Sequence, residues 1–553
     1  MISTKTRKAD ARRNLRADLK RLQNEFKYYE YDGVYNHFNK YFTAKVQTFE
    51  TPRYPDLDIV SIGEQVVREL GKMGYCTLAD IESSYLKKLV GPQGGQATFE
   101  QVADRLVTYY RAPQDEVILP PLIRKRVTSY LAALIPAHAP LEPLSKRATY
   151  ATFKGSKKSN SGIFLWTDRR PVSVRLHALN EAFSRRSLDP AVHGNRFYRN
   201  KTRDIFMDTF PNLFRGNRLL VPMRELFLKT GIPSWTGMHD DELALHNFWR
   251  RYTPERTTTI EFDVDAMDQC MDPQSTHFVL DLLRESGVRM TDTYAQELHE
   301  YVDMIYSQPV IGVDGIHYGP WSMISGVPPT NDWETYTNSS AFISFMASHY
   351  VGADLLIDIP HVLRVLGDDI IAVFARHFDE VRRYDSSTPV DISIALVEWA
   401  KVFHLKANTA KQAVRHGEGF YCRHYFSPRL PQYTDVNGKV HLRAAYPLSL
   451  ALNNWKQPER LSHPNWDAYQ YQVFLGVWGG TQGHPLHRYV VNRLFELGVV
   501  PVPQLEDSDA ALIQYRAKGE DWYYHLFGVE QVDVREFDAR LRSHPLFKIR
   551  PKV

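Results

Sequence analysis

The sequence predicts a mixed α+β protein of several packed subdomains, and three observations carry that prediction. At 553 residues the chain is too long for a single hydrophobic core. Between Thr257 and Phe426, short β-type apolar runs alternate with helical stretches and tight turns. From about residue 431 onward the pattern is mostly helical, with WDAYQYQVFLGVW as its most apolar piece. No apolar run approaches the length of a membrane span, and residues 1–30 lack a secretory apolar region. The expectation is a protein that is neither secreted nor membrane-spanning. Cys76, Cys270 and Cys422 are far apart and form no CxxC pair, so neither a disulfide framework nor a structural zinc site is expected, and a reducing cytosol fits.

Taken in order, the first element is an amphipathic helix. Leu15, Leu19, Leu22 and Phe26 follow 4-3-4 spacing, with Arg12, Arg13, Arg16, Lys20 and Arg21 around the rest. Residues 1–27 hold nine Lys or Arg against three Asp or Glu, 9 − 3 = +6 of a net charge of only +4. The spacing predicts a helix docked by its leucines with a solvated basic face; contact with RNA is the alternative use of that face. LIRKRVTSYLAALI reads as a helix opened by Pro120-Pro121 and closed by Pro136. Residues 151–225 are basic and irregular, with apolar residues that suggest short strands. Thr257 to Phe426 reads as strand, two helices, a hairpin turning at Asp314-Gly315, a loop and helix, then hairpins separated by a further helix.

The chemistry-bearing residues are carboxylates. VLRVLGDDIIAVF (362–374) reads as a β-hairpin with Gly367-Asp368-Asp369 at its tip. Adjacent carboxylates between buried strands repel unless a cation neutralises them, and oxygen-only ligation suits Mg²⁺ or Mn²⁺. A GDD triplet occurs by chance in a chain this long about one time in ten, so the triplet alone decides nothing. Asp263 closes the strand TTIEFDV, and Asp268 follows where the chain turns. Were the two strands neighbours, Asp263 and Asp368 would share two metal ions; Asp263 alone reads equally as a helix N-cap or an exposed strand end. Between them, Ser325-Gly326 permits an unusual turn, and Thr330, Glu334 and Asn338 recur every four residues on one helix face. Such a face could read a ribose, while the same segment taken alone reads more simply as a capped surface helix.

The order of these pieces is the strongest signal. DxxxxD (Asp263, Asp268), SGxxxT with a downstream Asn (Ser325, Gly326, Thr330, Asn338) and GDD (367–369) resemble motifs A, B and C of viral RNA-dependent RNA polymerases. The separation of Asp263 and Asp368, 368 − 263 = 105, is typical of that family. The Asn thirteen residues after the Ser, 338 − 325 = 13, resembles the double-stranded RNA partitivirus and picobirnavirus group, and DVDAMD with the total length resembles the picobirnaviruses most. Lys201 and Arg203 in NKTRDIFMD resemble motif F, which holds the incoming triphosphate; Lys154 to Gly162, with Lys154, Lys157 and Lys158, resembles motif G along the template path. VDISIALVEWAKVF and the following HLKANTAKQ resemble motif D, with Lys411 the choice for the proton donor to pyrophosphate and Lys406 the runner-up. GFYCRHYF resembles the primer-grip hairpin of motif E. The resemblance covers roughly residues 150–430. Leu366-Gly367 before the acid pair, and Asp268 in place of an aromatic steric gate, argue against a reverse transcriptase.

The resemblance implies a right-hand fold with closed fingers, an antiparallel palm and a mostly helical thumb. Residues 1–70 would be an N-terminal extension, 71–256 fingers, 257–285 palm, 286–322 a fingers insertion, 323–430 palm, and 431–553 thumb and tail. Asp263 and Asp368 would bind two Mg²⁺ or Mn²⁺ ions with Asp369 assisting. Asp268, Ser325, Gly326, Thr330 and Asn338 would bind the NTP and its ribose, with Asp268, Thr330 and Asn338 sensing the 2′-hydroxyl. It further implies an RNA template and product, NTPs and a viral capsid protein as partners, without a membrane, in the virion interior or the host cytoplasm. The rival expectation is a non-catalytic RNA-binding or assembly protein, which explains residues 1–27 but gives the acid pairs no purpose.

Overall fold

Strand β3 (Thr258–Asp263) is buried at every position because it lies inside a four-stranded sheet. That sheet has the order β12-β3-β9-β8, with β8 at Val362–Leu366, β9 at Asp369–Phe374 and β12 at Ala413–Arg415. The structure, a computed structural model, describes residues 4–497 apart from 49–53, 55, 89, 93, 113, 154–159, 199–200, 230–243, 246, 250, 353–354, 435–439, 443, 458–480 and 482. Lys154, Lys157, Lys158 and the apolar piece at 466–478 therefore lie outside the described residues.

Side chains of β9 alternate between two cores, as the two-residue period of a strand requires. Ile370, Ala372 and Phe374 join the largest core, which draws on residues from Leu106 to Leu405. Ile371 and Val373 face a second core, built from Ile59, Ile62, Val66 and Leu70 together with Leu448, Leu452 and Trp455. Residues near the two ends of the described chain thus close over one face of the sheet. Buried inside it, Glu261 accepts from Arg415 Nε at 2.8 Å and from the Phe420 N–H at 2.7 Å. Burial pushes the Glu261 carboxyl up to about 7 even so.

On the other face lies the helix Thr330–Ser348, buried at nearly every position from Asp332 onward. It is not the capped surface helix that its local sequence suggests. Several of its small polar side chains can be buried because their hydroxyls find an acceptor within the helix. Thr335, Ser339, Ser344 and Ser348 all donate to the carbonyl four residues back. Small side chains let neighbours approach closely, and the helices Pro121–Leu134, Pro273–Glu285 and Ile392–Val402 pack around it.

A second sheet has the order β2-β1-β4-β5, joining β1 (Ala191–Tyr198) and β2 (Lys201–Met207) to β4 (Val310–Gly312) and β5 (Gly315–His317). A third, β11-β10-β6-β7, contains β6 (His349–Val351), β7 (Leu355–Leu356), β10 (Glu380–Arg383) and β11 (Pro389–Asp391). The β4–β5 hairpin turns one residue earlier than expected: Gly312 pairs with Gly315, leaving Val313-Asp314 as the loop. Val313 is buried in the N-terminal core, and Gly315, at φ +135°, leaves room for Asp18, whose carboxylate accepts from the Ile316 N–H at 2.9 Å. After β13 (Gly419–Tyr421) and β14 (His424–Phe426) the chain forms another hairpin, β15 (Gln432–Thr434) and β16 (Val440–Leu442), where the sequence suggested helix.

The N-terminal helix Thr4–Glu25 docks as its periodicity predicts, with Leu15, Leu19 and Leu22 buried and Phe26 packed against the same core. Its basic face is less free than expected. Arg7 pairs with Asp104 and Lys8 with Glu100, while Arg12 and Arg16 sit over the rings of Phe42 and Tyr35.

Candidate active site

The register of the central sheet assembles the acids. Asp263 ends β3 directly opposite Asp369, the first residue of β9. The β8–β9 hairpin closes at Leu366 and Asp369, so Gly367-Asp368 form its two-residue turn. The Val264 N–H donates to the Asp368 carbonyl at 3.3 Å, tying the turn to the end of β3. Three carboxylates from two strand ends thereby share one edge. Two more come from outside the sheet: Asp268, in the turn of helix after β3, and Glu334, from the buried helix.

Their electrostatics record the crowding. Burial, then the charge of Asp263, raises the Asp368 carboxyl above its ordinary value. Burial, then Asp368 and Asp263, pushes Asp369 up to about 7. Burial raises Glu334 far above the usual range, with Asp268 and Asp368 adding to the effect. Lys411 Nζ donates to Asp263 Oδ1 at 2.6 Å. Burial draws its pKa down, but the hydrogen bond and charge of Asp263 outweigh that, so the ammonium is stabilised. Asp263 Oδ2 is buried without a hydrogen-bond partner. A set of carboxylate oxygens, mutually repelling and including an unpartnered buried one, fits a hard divalent cation such as Mg²⁺ or Mn²⁺. Lys406, the runner-up to Lys411, instead pairs with Asp265 at 2.7 Å on the surface.

The turn is held from below. Asn338, fully buried, donates through Nδ2 to the Gly367 carbonyl at 2.9 Å, and the Gly367 N–H donates to Thr335 Oγ1 at 2.9 Å. Gly367 has φ +58°, a conformation that favours glycine. Asn338 Oδ1 is buried without a partner. Thr330 Oγ1 is turned back onto its own loop, within hydrogen-bond reach of the Ile324 and Val327 carbonyls. The Ser325 carbonyl accepts from the Phe206 N–H at 3.0 Å. A Cβ at Gly326, φ +105°, would lie 2.6 Å from the Phe206 carbonyl oxygen, so only glycine lets this loop lie against β2.

Strand β2 also carries Lys201 and Arg203, the first paired with Tyr198 and the second with Arg196 across the β1–β2 hairpin. Arg203 is exposed, and its charge favours the ionised form of Asp268. The Lys201 side chain lies outside the described residues.

No family model and no curated protein matches the sequence. The fold does match solved structures. The RNA-dependent RNA polymerase of a human picobirnavirus superposes with a TM-score of 0.66 at 18% identity, over 87% of this chain and 93% of that one. An insertion-loop deletion mutant of that viral polymerase gives 0.65 at 19% identity, over 87% and 97%. The chain has the fold of a viral RNA-dependent RNA polymerase.

Several residues that position this polymerase-fold site are not among those the sequence motifs single out. Tyr109 donates to Asp268 Oδ2 at 2.9 Å across 268 − 109 = 159 positions. Asp204, between Arg203 and the core, accepts from Arg105 Nε at 2.7 Å, His193 Nε2 at 2.9 Å and Asn195 Nδ2 at 2.8 Å. Thr335 lies one residue beyond the four-residue repeat that drew attention to Glu334. Asp204 lies inside the NKTRDIFMD motif, where an acid among basic residues was a usable hint.

Proposed function

We propose that the chain is an RNA-dependent RNA polymerase that transfers a nucleoside monophosphate from an NTP to an RNA 3′-hydroxyl, replicating and transcribing a viral RNA genome. The observation that carries this reading is the pairing of Asp263 with Asp369 across β3 and β9, with Asp368 in the adjoining turn. Asp263 and Asp368 hold two Mg²⁺ or Mn²⁺ ions, and Asp369 assists. Such ions, when bound, lower the pKa of the attacking hydroxyl and neutralise charge on the leaving pyrophosphate.

The chain's own residues supply the rest. Lys411 carries a stabilised proton beside Asp263 and donates it to the leaving pyrophosphate. Lys201 and Arg203 orient the triphosphate as a point charge and a planar fork. Asp268 and Asn338 read the ribose 2′-hydroxyl, the group that separates RNA from DNA precursors. Thr330, Ser325 and Gly326 shape the loop that leads into the helix bearing Asn338. Lys154, Lys157 and Lys158 bind the template RNA. On this reading the sheet containing β3 and β9 is the palm, divided between 257–285 and 323–430. Residues 71–256 and 286–322 are fingers, sharing the β2-β1-β4-β5 sheet. Residues 1–70 are an N-terminal extension, and 431–553 are thumb and tail. A viral capsid protein is the expected partner, in the virion interior or the host cytoplasm.

The test is direct. Full-length protein with an RNA template, four NTPs and Mg²⁺ or Mn²⁺ is expected to make template-complementary RNA, and the Asp368→Asn protein none. Absence of product across both metals, with and without a primer, refutes the reading.

A further inference from the structure

At the opposite end of β3 and β9 from the acids, His377, Asp379 and His416 bring one ligand atom each within 4.8 Å of one another. The separation from the carboxylates is roughly 17 Å, five residue steps of antiparallel strand from Thr258 to Asp263. This cluster is therefore independent of the polymerase site and of the function proposed for it.

Its backbone is fixed before any ligand arrives. Between His377 and Asp379, Phe378 is buried against Phe374, ring centroids 5.3 Å apart. The Phe378 N–H donates to Thr258 Oγ1 at 2.9 Å, and that hydroxyl returns a bond to the Phe378 carbonyl at 3.2 Å. His416 follows Arg415, which pairs with Thr259 on β3. The imidazoles of His377 and His416 stack with centroids 4.0 Å apart. Both direct Nε2 at the same carboxylate, His377 to Asp379 Oδ2 at 3.1 Å and His416 to Oδ1 at 2.8 Å.

The hydrogen bonding of His416 carries the argument further. Its Nδ1 lies 2.8 Å from the Thr257 carbonyl, and a carbonyl only accepts, so Nδ1 bears the proton. In the neutral ring Nε2 then presents a lone pair, here aimed at a carboxylate oxygen. Two lone-pair-bearing atoms at that distance repel unless a proton lies between them or both ligate one cation set to the side. An Nδ1–H held by a backbone carbonyl is also the usual support for an imidazole that ligates metal through Nε2. Two nitrogens and one carboxylate oxygen select a borderline transition ion over Mg²⁺.

We propose that His377, Asp379 and His416 form a surface site for a divalent transition-metal ion of the Zn²⁺ class, with water completing the coordination. The ion clamps the loop after β9 to the turn after β12, across the first residues of β3, at the base of the sheet whose other end bears the acids.

The test uses the full-length chain, stripped of metal and returned to excess Mg²⁺ so that the carboxylate site is saturated. Co²⁺ serves as the spectroscopic probe and Zn²⁺ as the ion measured by equilibrium dialysis. Wild-type protein is expected to bind one equivalent more of either ion than His377→Ala, with a visible Co²⁺ band that the variant lacks. Affinity at this site is expected to fall at least 100-fold, beyond the 10–100-fold that loss of a supporting residue costs. His377 is half exposed, so the variant's metal-free melting should match wild type; Asp379→Asn gives the same loss of binding with the backbone untouched. Equal stoichiometry and spectra in wild type and both variants would overturn the proposal, leaving a protonated His416 paired with Asp379 as the account of the cluster.

Discussion

Replacing Asn338 by alanine separates two roles that its position combines. Its Nδ2 is a donor to the Gly367 carbonyl, and the side chain is fully buried, so Asn338→Ala leaves that carbonyl unpaired. Leaving a buried polar group unsatisfied costs about 1–3 kcal/mol, read as a lower Tm. The turn it releases carries Asp368, and misplacing a catalytic group by an ångström costs up to about 100-fold in rate. We expect kcat for GTP to fall between about 10- and 100-fold. The unpartnered Oδ1 is the atom available to accept from a ribose 2′-hydroxyl, and losing one such bond narrows the GTP-over-dGTP preference about tenfold, 1.4 kcal/mol. Thr335→Val is the control, because Thr335 touches the Gly367 N–H but has no part in the proposed reading of the sugar. It should lower kcat/KM for both nucleotides by the same factor. The assay is single-nucleotide extension of a primed RNA, with kcat/KM measured for GTP and dGTP. If Asn338→Ala lowers both nucleotides equally, as Thr335→Val does, Asn338 only props the turn and ribose reading by this residue is refuted.

Four further outcomes are expected. Asp263→Asn and Asp368→Asn each abolish nucleotide incorporation while RNA binding, measured by filter retention, stays within about twofold, and Asp369→Asn is milder; near-wild-type synthesis by Asp368→Asn in Mg²⁺ would rule out the mechanism. Lys411→Met slows pyrophosphate release chemistry by about 100-fold without weakening NTP binding, read in single-turnover kinetics. Asp204→Asn destabilises the protein by about 2–3 kcal/mol, because Arg105 and His193 lose the carboxylate between them. Burial raises the Asp204 pKa, but its bonds to His193 and Arg105 outweigh that and hold it low. Its stabilisation is therefore present above the ordinary carboxylate pKa and lost as pH falls through the lower folded value, so the variant's stability should change less between neutral and acid pH than wild type. Deleting residues 1–27 lowers Tm but leaves the salt dependence of RNA affinity nearly unchanged, since Arg7, Lys8, Arg12 and Arg16 are engaged by Asp104, Glu100, Phe42 and Tyr35; a markedly flatter slope would return these residues to RNA contact.

What the sequence determined by itself is local or ordered along the chain. The leucine stripe of the first helix, the strand ending at Asp263, the hairpin at Gly367 and the helix from Thr330 all follow from periodicity and turn chemistry. Each is decided by neighbours a few residues away, so composition and spacing suffice. The order DxxxxD, SGxxxT, GDD identified the fold because three weak signals in sequence multiply. The tertiary structure decided whatever depends on which surfaces meet. Only the β3–β9 register shows that Asp263 lies opposite Asp369. Burial of Thr330–Ser348 could not be read from a segment whose serines look solvent-facing, because hydroxyls satisfied by their own helix enter a core at little cost. Lys411 reaches Asp263 and Lys406 reaches Asp265 from positions five apart, a difference that residue type alone does not set. The partner of Asp268, Tyr109, sits 159 positions away, and a hydrogen bond over such a span leaves no mark on the sequence near either end.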